Sequence, residues 1–270
     1  NISGFRNTAV GARSMYYNIS GVWNTALGVD ALRVNNTGSY NVGIGGEALA
    51  LSAPSDSNTA VGYAAAKNVD GGKGNTAIGA GSMSTNIVTG NDNTAIGRLA
   101  YTSGTSGNQN IAIGTEALGK NTSGSKNIAI GSFTLNTNTT GSNSIAIGDS
   151  ALFAHANTYP EIAIGARALK NSSAGEFNIA IGPDALYSNN NNSASIAIGN
   201  QALYTQSYIL PIYTHNIAIG YHALYRNSPI SFTTGRYNTA LGSFAMRNNT
   251  SGYQNTAVGY SALRGDDFTG

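Results

Sequence analysis

The chain has 270 residues, with 35 glycines, five prolines, no cysteine and only 10% charged residues, and its formal net charge is +2. Without cysteine, neither disulfides nor thiolate metal sites can form. The sparse charge shows no basic patch or stripe, which argues against a nucleic-acid partner. No run of about 18 apolar residues occurs, which argues against membrane insertion.

One pentapeptide recurs along almost the whole chain. It is first seen at residues 7–11 as Asn-Thr-Ala-Val-Gly and last seen in the same form at residues 255–259. Fifteen copies occur, and eleven of the fourteen intervals between their closing glycines are 17 residues long. The closing glycines are Gly11, Gly28, Gly45, Gly62, Gly79, Gly97, Gly114, Gly131, Gly148, Gly165, Gly182, Gly199, Gly220, Gly242 and Gly259.

A repeat of this length restricts the fold class. Seventeen residues are too few for a helical hairpin or a propeller blade but are enough for one coil of a β-solenoid. The sequence therefore predicts an all-β, parallel β-solenoid of about fifteen coils, which would stack to roughly 70 Å at a spacing of about 4.8 Å. Each coil is predicted to hold two short strands around a glycine corner, closed by an Asn/Ser/Gly turn.

The repeat spans residues 1–270 as a single predicted domain. Its first and last residues interrupt the pattern without polar caps, which indicates a fragment of a longer fibre.

The strand pattern predicts which side chains face inward. Alternate residues of a strand face opposite sides, so the β-branched second and fourth motif positions are predicted to fill the interior with the following Leu or Met. The middle position is Ala in fourteen of the fifteen copies and is predicted to face outward. Small residues repeated on an outer face favour close packing of other copies of the chain, and a tight bend before the glycine is the alternative explanation.

Asparagine opens the motif in twelve of the fifteen copies. Stacked Asn side chains in a parallel ladder can hydrogen-bond from coil to coil. A structural Asn ladder is therefore predicted.

Two adjacent coils are longer than the others. The sequence places inserted loops, side by side, at about residues 203–215 and 224–237, and Tyr187, Tyr204 and Tyr225 fall in one column of three successive coils. Exposed aromatic residues with arginine are typical of a contact with a host-surface glycan or protein. Packing of the loops on the coils and on neighbouring chains is the alternative. The candidate receptor-contact residues are Tyr204, Tyr208, Tyr213, Tyr225, Arg226, Phe232, Arg236 and Tyr237.

Residues for catalysis or metal binding do not form a recognisable pattern. The three histidines, His155, His215 and His222, are not spaced with Asp or Glu as in a metal site or a catalytic triad, and they are interpreted as ordinary surface residues. No catalytic, cofactor or metal site is predicted, and the chain is interpreted as non-enzymatic.

Residues 110–124 carry a resemblance to known families. The segment Asn-Ile-Ala-Ile-Gly-Thr-Glu-Ala-Leu, closed by an Asn-Thr-Ser-Gly turn, resembles the head repeats of YadA-like trimeric autotransporter adhesins and, more closely, the repeats of bacterial and phage tail-fibre-domain proteins. The resemblance covers about residues 5–264. It implies a left-handed β-roll, a homotrimer and an extracellular or virion location. The coils are longer than is typical of the adhesin heads, and the period itself fits either hand.

The predicted function is a stiff extracellular fibre or adhesin segment for attachment to a host or surface. Its predicted partners are copies of itself and a host-surface glycan or protein. Two alternatives remain: a solenoid that binds ice or another flat surface, and a carbohydrate-binding phage tail fibre. A flat water-facing Thr array would favour ice, but the Thr column is predicted to face inward.

Overall fold

The computed structural model describes residues 2–52, 54–155, 159–206, 212–227 and 234–265. It confirms the fold class, since the described chain is an all-β, parallel β-solenoid of about 14–15 turns with no helix. The chain forms two compact units, Asn1–Phe133 and Thr134–Gly270.

Unit 1 contains eight three-residue strands, each paired in parallel and in register with the next. The pairs join equivalent motif positions, as in Thr59 with Thr76 and Ala60 with Ala77. The strands are β1 (Thr8–Val10), β2 (Thr25–Leu27), β3 (Val42–Ile44), β4 (Thr59–Val61), β5 (Thr76–Ile78), β6 (Thr94–Ile96), β7 (Ile111–Ile113) and β8 (Ile128–Ile130).

The described part of unit 2 repeats this arrangement in the order β9-β10-β11-β13-β15-β16-β17, with a second small sheet of β12 and β14. The strands are β9 (Ile145–Ile147), β10 (Ile162–Ile164), β11 (Ile179–Ile181), β12 (Asn192–Ser193), β13 (Ile196–Ile198), β14 (Ile212–Tyr213), β15 (Ile217–Ile219), β16 (Thr239–Leu241) and β17 (Thr256–Val258).

The second predicted strand of each coil is a series of turns. After the corner glycine, the second and fourth residues have left-handed backbone, as at Asp30 (φ 58°) and Leu32 (φ 50°). Left-handed backbone is costly for a bulky residue. It is held here because the Leu32 N–H donates to the carbonyl of Ala48 in the next coil at 2.9 Å and the Leu32 side chain is fully buried. The prediction of two strands per coil was therefore wrong.

The predicted facing of the strand was also wrong. In the strands after β1, the middle Ala side chains point inward and are almost completely buried, whereas the second and fourth positions face outward and are half-buried or exposed; in β1 all three residues, Ala9 included, are exposed. Gly43, which replaces Ala in β3, shows the reason. A Cβ at Gly43 would lie 3.1 Å from the Ala48 carbonyl oxygen and 3.3 Å from Leu32 Cγ. The interior is too narrow for isoleucine, so the Ala column cannot be the face that meets other chains.

The corner glycines are required by the backbone and by the neighbouring coil. Gly28 has a φ of 139°, and a Cβ there would lie 2.5 Å from the carbonyl oxygen of Gly45. L-residues rarely adopt this φ, and the contact leaves no room for a side chain. Adjacent coils therefore stack at their corners with backbone against backbone.

The Asn ladder is confirmed by the hydrogen bonds in unit 1. The amide oxygen of Asn58 accepts from the backbone N–H of Asn75 at 2.9 Å, and its Nδ2 donates to the carbonyl of Gly72 at 2.9 Å. Asn75 and Asn93 repeat these contacts in the next coils. These side chains are almost completely buried, so the ladder satisfies interior backbone groups that would otherwise lack partners.

Candidate functional site

The outward face of the sheet is apolar in each unit. In unit 1, five strands (β1, β2, β4, β5 and β6) combine Thr with Val, Leu or Ile, β3 combines Val with Ile, and β7 and β8 present Ile at both outward positions. Val10, Leu27 and Ile78 are 55%, 48% and 37% exposed. In unit 2, strands β9, β10, β11, β13 and β15 present Ile at both outward positions. Ile164 and Ile219 are 36% and 39% exposed. Each unit thus carries two parallel columns of β-branched or aliphatic side chains open to solvent.

The predicted tyrosine column is confirmed in unit 2. The rings of Tyr187 and Tyr204 stack with centroids 5.1 Å apart and planes 8° apart. Those of Tyr204 and Tyr225 stack at 5.1 Å and 12°. All three side chains are half-buried, and stacking of this kind contributes beyond the burial of area alone. Tyr204 and Tyr225, two of the predicted receptor-contact residues, therefore share one ordered aromatic stack.

Cations close both ends of this stack. Lys170 Nζ lies 5.9 Å from the centroid of Tyr187, and the guanidinium of Arg247 lies 5.7 Å from that of Tyr225. These residues occupy the same position in successive coils, five after the corner glycine. We name Lys170, Tyr187, Tyr204, Tyr225 and Arg247 the tyrosine comb. Its two cations were missed by the sequence analysis, although their position five residues after a corner glycine points to them.

A second aromatic group adjoins the comb. The ring of His222 stacks on Tyr225 at 4.6 Å and on Tyr221 at 3.9 Å, and Phe244 meets both His222 and Tyr221 edge-on. Burial and the nearby Arg247 lower the pKa of His222 below its usual value. His222 is therefore neutral at pH 7, and it is half-buried within the aromatic group.

Three other predicted contact residues form a separate patch. Tyr237 stacks on His215 at 5.3 Å, and Tyr213 lies next to His215 at 6.0 Å. Arg236 donates to the Tyr237 hydroxyl at 2.7 Å, and the Tyr213 hydroxyl donates to Glu176 at 3.1 Å. Hydrogen bonding to Glu176 raises the pKa of Tyr213. Their polar groups are thus engaged with neighbouring parts of the chain.

The remaining predicted contact residues are placed only in part. Arg226 is exposed, and its backbone N–H donates to the Arg247 carbonyl at 3.0 Å. Tyr208 and Phe232 lie outside the described residues, as do residues 207–211 and 228–233 of the two inserted loops. The predicted side-by-side position of these loops falls on the same residues and stays a prediction.

A buried polar cluster interrupts the Asn ladder in unit 2. His155 Nδ1 lies 3.1 Å from Glu161 Oε2, and Ser144 Oγ lies 3.4 Å from His155 Nε2. Glu161 Oε1 accepts from Ser172 at 3.1 Å and from Asn178 at 2.7 Å. The interpretation of His155 as a surface residue was wrong, since its side chain is fully buried. Its position in a predicted turn and its spacing from Glu161 gave no sign that it points inward.

The contacts of Ser144 with His155 and of His155 with Glu161 join the side-chain types of a hydrolytic Ser–His–acid triad. Ser144 and His155 are 0% exposed and Glu161 is 1% exposed. A substrate has no access to a serine enclosed in this way. We therefore assign the cluster a structural role: it replaces the Asn ladder in these coils.

Acidic and histidine side chains are scattered over the described ranges. No group of three or more His, Asp or Glu side chains in them is arranged to hold a metal ion. Nor does this part of the chain contain a helix long and apolar enough to cross a membrane.

No known protein-family model matches this chain, and no curated protein is significantly similar to it.

Proposed function

We propose that this chain is a non-enzymatic segment of an extracellular fibre or adhesin, which assembles as a homotrimer through the outward face of its sheet. The observation that carries the proposal is the apolar outward face, formed in unit 2 by Ile at both positions of five strands. Contiguous exposed apolar surface of this kind marks an interaction site. Parallel sheets are moreover usually covered on both faces.

A second copy of the same face is a suitable cover. Each strand repeats the same two outward positions in register, so a symmetric assembly would bring equivalent columns together along the whole stack. The threefold symmetry and the left hand of the coils are taken from the resemblance of the repeats. Many coils in such an assembly would form a stiff spacer, and repeated weak contacts would add through multivalency.

The mass of the native particle, measured by light scattering after size exclusion, tests this proposal. We expect the mass of three chains for the unmodified protein. The double variant Ile164→Asp/Ile219→Asp places two charges on the outward face and should give single chains. The control Ala166→Asp/Asn200→Asp introduces the same two carboxylates at exposed turn positions and should remain trimeric. A single-chain mass for the unmodified protein would refute assembly through this face.

Binding to ice or another flat crystalline surface is a second candidate function. The argument against it was that the Thr column faces inward, but the structure shows Thr8, Thr25, Thr59, Thr76 and Thr94 on the outward face of unit 1. Thermal hysteresis of the protein in solution tests this candidate. Hysteresis that is lost in Thr59→Lys and kept in Tyr63→Lys would support it. Freezing without hysteresis would exclude ice as the ligand.

A further inference from the structure

The region around the tyrosine comb has an unusual charge distribution. Between residues 185 and 265 the sequence contains four arginines, Arg226, Arg236, Arg247 and Arg264, and neither Asp nor Glu. The carboxylate that precedes this region, Asp184, is held by Arg167 through two hydrogen bonds of 2.7 and 2.8 Å. The segment between Asp184 and the pair Asp266 and Asp267 therefore carries an excess of positive charge in its sequence, which suits an anionic partner.

The comb also presents hydrogen-bonding groups. Within the described residues, no hydrogen bond uses the hydroxyls of Tyr187, Tyr204 or Tyr225, and these hydroxyl oxygens are not among the buried atoms that lack a partner. The ring faces are covered by one another and by the cations at the ends. The comb thus offers solvent the ring edges and hydroxyls, and its rings repeat every 5.1 Å.

Exposed ring surface adjoins the Tyr225 end of the comb, through His222 and Arg247. Tyr221 is 45% exposed and Tyr260 is 77% exposed, and Phe244 contacts both rings edge-on. The guanidinium of Arg264 lies 5.6 Å from the centroid of Phe244. Hydroxyls, exposed ring faces and guanidinium groups are therefore present within the five successive coils that follow Gly182, Gly199, Gly220, Gly242 and Gly259.

We propose that the tyrosine comb and the adjoining Tyr221, Phe244 and Tyr260 bind an acidic glycan, a linear sugar chain that carries carboxylate groups. The sugar hydroxyls bond to the tyrosine hydroxyls, its C–H faces pack on the exposed rings, and its carboxylates pair with Arg247 and Arg264. The interval of 5.1 Å between rings is about the length of one pyranose residue, so one sugar can follow each coil. This proposal rests on the attachment function proposed above and specifies its ligand.

A nucleic acid fits this surface less well. Double-stranded DNA carries one charge per about 1.7 Å and is bound by dense rows of Lys and Arg. The four arginines of residues 185–265 are spread over several coils. The charge here is sparse, as suits a polymer with one carboxylate per sugar.

Calorimetric titration of the native particle with oligogalacturonate tests the proposal. Neutral malto-oligosaccharide of equal length, oligoglutamate and oligothymidylate serve as comparison ligands. We expect oligogalacturonate to bind, with affinity that falls as salt is added, and the three comparison ligands to bind at least tenfold more weakly. Equal binding of malto-oligosaccharide would overturn the proposed pairing of sugar carboxylates with the arginines. Equal binding of oligoglutamate or oligothymidylate would overturn recognition of the sugar.

Variants locate the site. Tyr204→Ala and Arg247→Gln should each weaken oligogalacturonate binding at least tenfold. Tyr204→Phe removes only the hydroxyl and covers the case in which the alanine variant fails to fold. The control Tyr63→Ala removes a tyrosine that is 64% exposed in unit 1 and should bind as the unmodified protein does. Unchanged binding by Tyr204→Phe and Arg247→Gln together would refute this site.

The mass of each titrated sample separates the two proposals. A trimer that does not bind oligogalacturonate would overturn the glycan proposal alone. A single chain that binds would overturn assembly alone.

Discussion

Nδ1 of His155 lies 3.1 Å from Oε2 of Glu161 in the interior of unit 2, where both side chains are 0% exposed. The distance suits an ion pair, but these two atoms do not form an aligned hydrogen bond. His155 takes the position that Asn occupies seven residues after the corner glycine in other coils, as at Asn121 and Asn138. Glu161 takes the first position of the motif. One buried pair therefore replaces two asparagines.

Removal of one member of this pair should be far more damaging than removal of both. Glu161→Gln or His155→Asn alone leaves a polar partner enclosed without its contact, and the expected loss in free energy of unfolding is about 1–3 kcal/mol. The double variant His155→Asn/Glu161→Asn restores the repeat residues at both positions and should be neutral or stabilising. Denaturant unfolding of the three variants measures this. A double variant as unstable as the worse single variant would contradict the expectation.

Much of the fold could be predicted from the repeat, and the reasons are local. Asn side chains that recur at 17-residue spacing are expected to stack in a parallel solenoid. Tyr187, Tyr204 and Tyr225 fall in one column because each stands five residues after its corner glycine, although 17 residues separate the first two and 21 the last two. Which side chains of the strand point inward could not be predicted in this way, because both faces of the strand carry residues that are common in β-strands. It depends on the width of the coil, which is set by left-handed residues such as Leu32.

The missed contacts share a physical cause. Leucine gives no sequence signal for left-handed backbone, unlike Gly or Asn, so the turn after each corner was predicted as a strand. His155 and Glu161 are only six residues apart, as are Asn35 and Asn41, which make the equivalent contact in unit 1, and nothing in their sequence spacing shows that both side chains point inward. The comb was found through its tyrosines, but Lys170 and Arg247 are recognised only when the column is followed beyond the aromatic residues.

Tyr101 and Gly104 are a second place in the interior where the chain departs from the repeat residues. Tyr101 occupies the usual Leu position and is 1% exposed, and a Cβ at Gly104 would overlap its ring. Gly104→Ala should therefore destabilise the protein by about 1–3 kcal/mol through overpacking. The same change in a Tyr101→Leu background should cost clearly less, since the ring is gone. Thermal unfolding of the four proteins of this cycle gives the coupling, and equal costs in both backgrounds would rule out the steric explanation.

The Tyr101 hydroxyl predicts a loss of stability in alkali. Burial raises the pKa of Tyr101 to about 12 from 10.0, even though Asn110 donates to its hydroxyl at 3.2 Å. The folded state thus keeps this proton when the unfolded chain has lost it. The stabilisation is complete below pH 10 and should fall by roughly 3 kcal/mol as the pH rises from 10 to 12. Tyr101→Phe removes this proton and should show a smaller loss over the same range in denaturant unfolding. Equal losses in the two proteins would show that other groups cause the alkaline instability.

His222 provides the opposite case at acid pH. Burial among the rings, and then the charge of Arg247, lower its pKa below 6.5. The unfolded chain therefore takes up this proton first, and the stability linked to His222 is present above pH 6.5 and decreases as the pH falls below it. Arg247→Gln removes the smaller of the two causes and should raise the pKa of His222 without restoring its usual value. Titration of the His222 ring by NMR measures the pKa directly, and Arg236→Gln, in the separate patch, is the control. The pKa of His222 could instead be the same in Arg247→Gln and in the unmodified protein. That result would show that burial alone lowers this pKa and that the charge of Arg247 has no effect on His222.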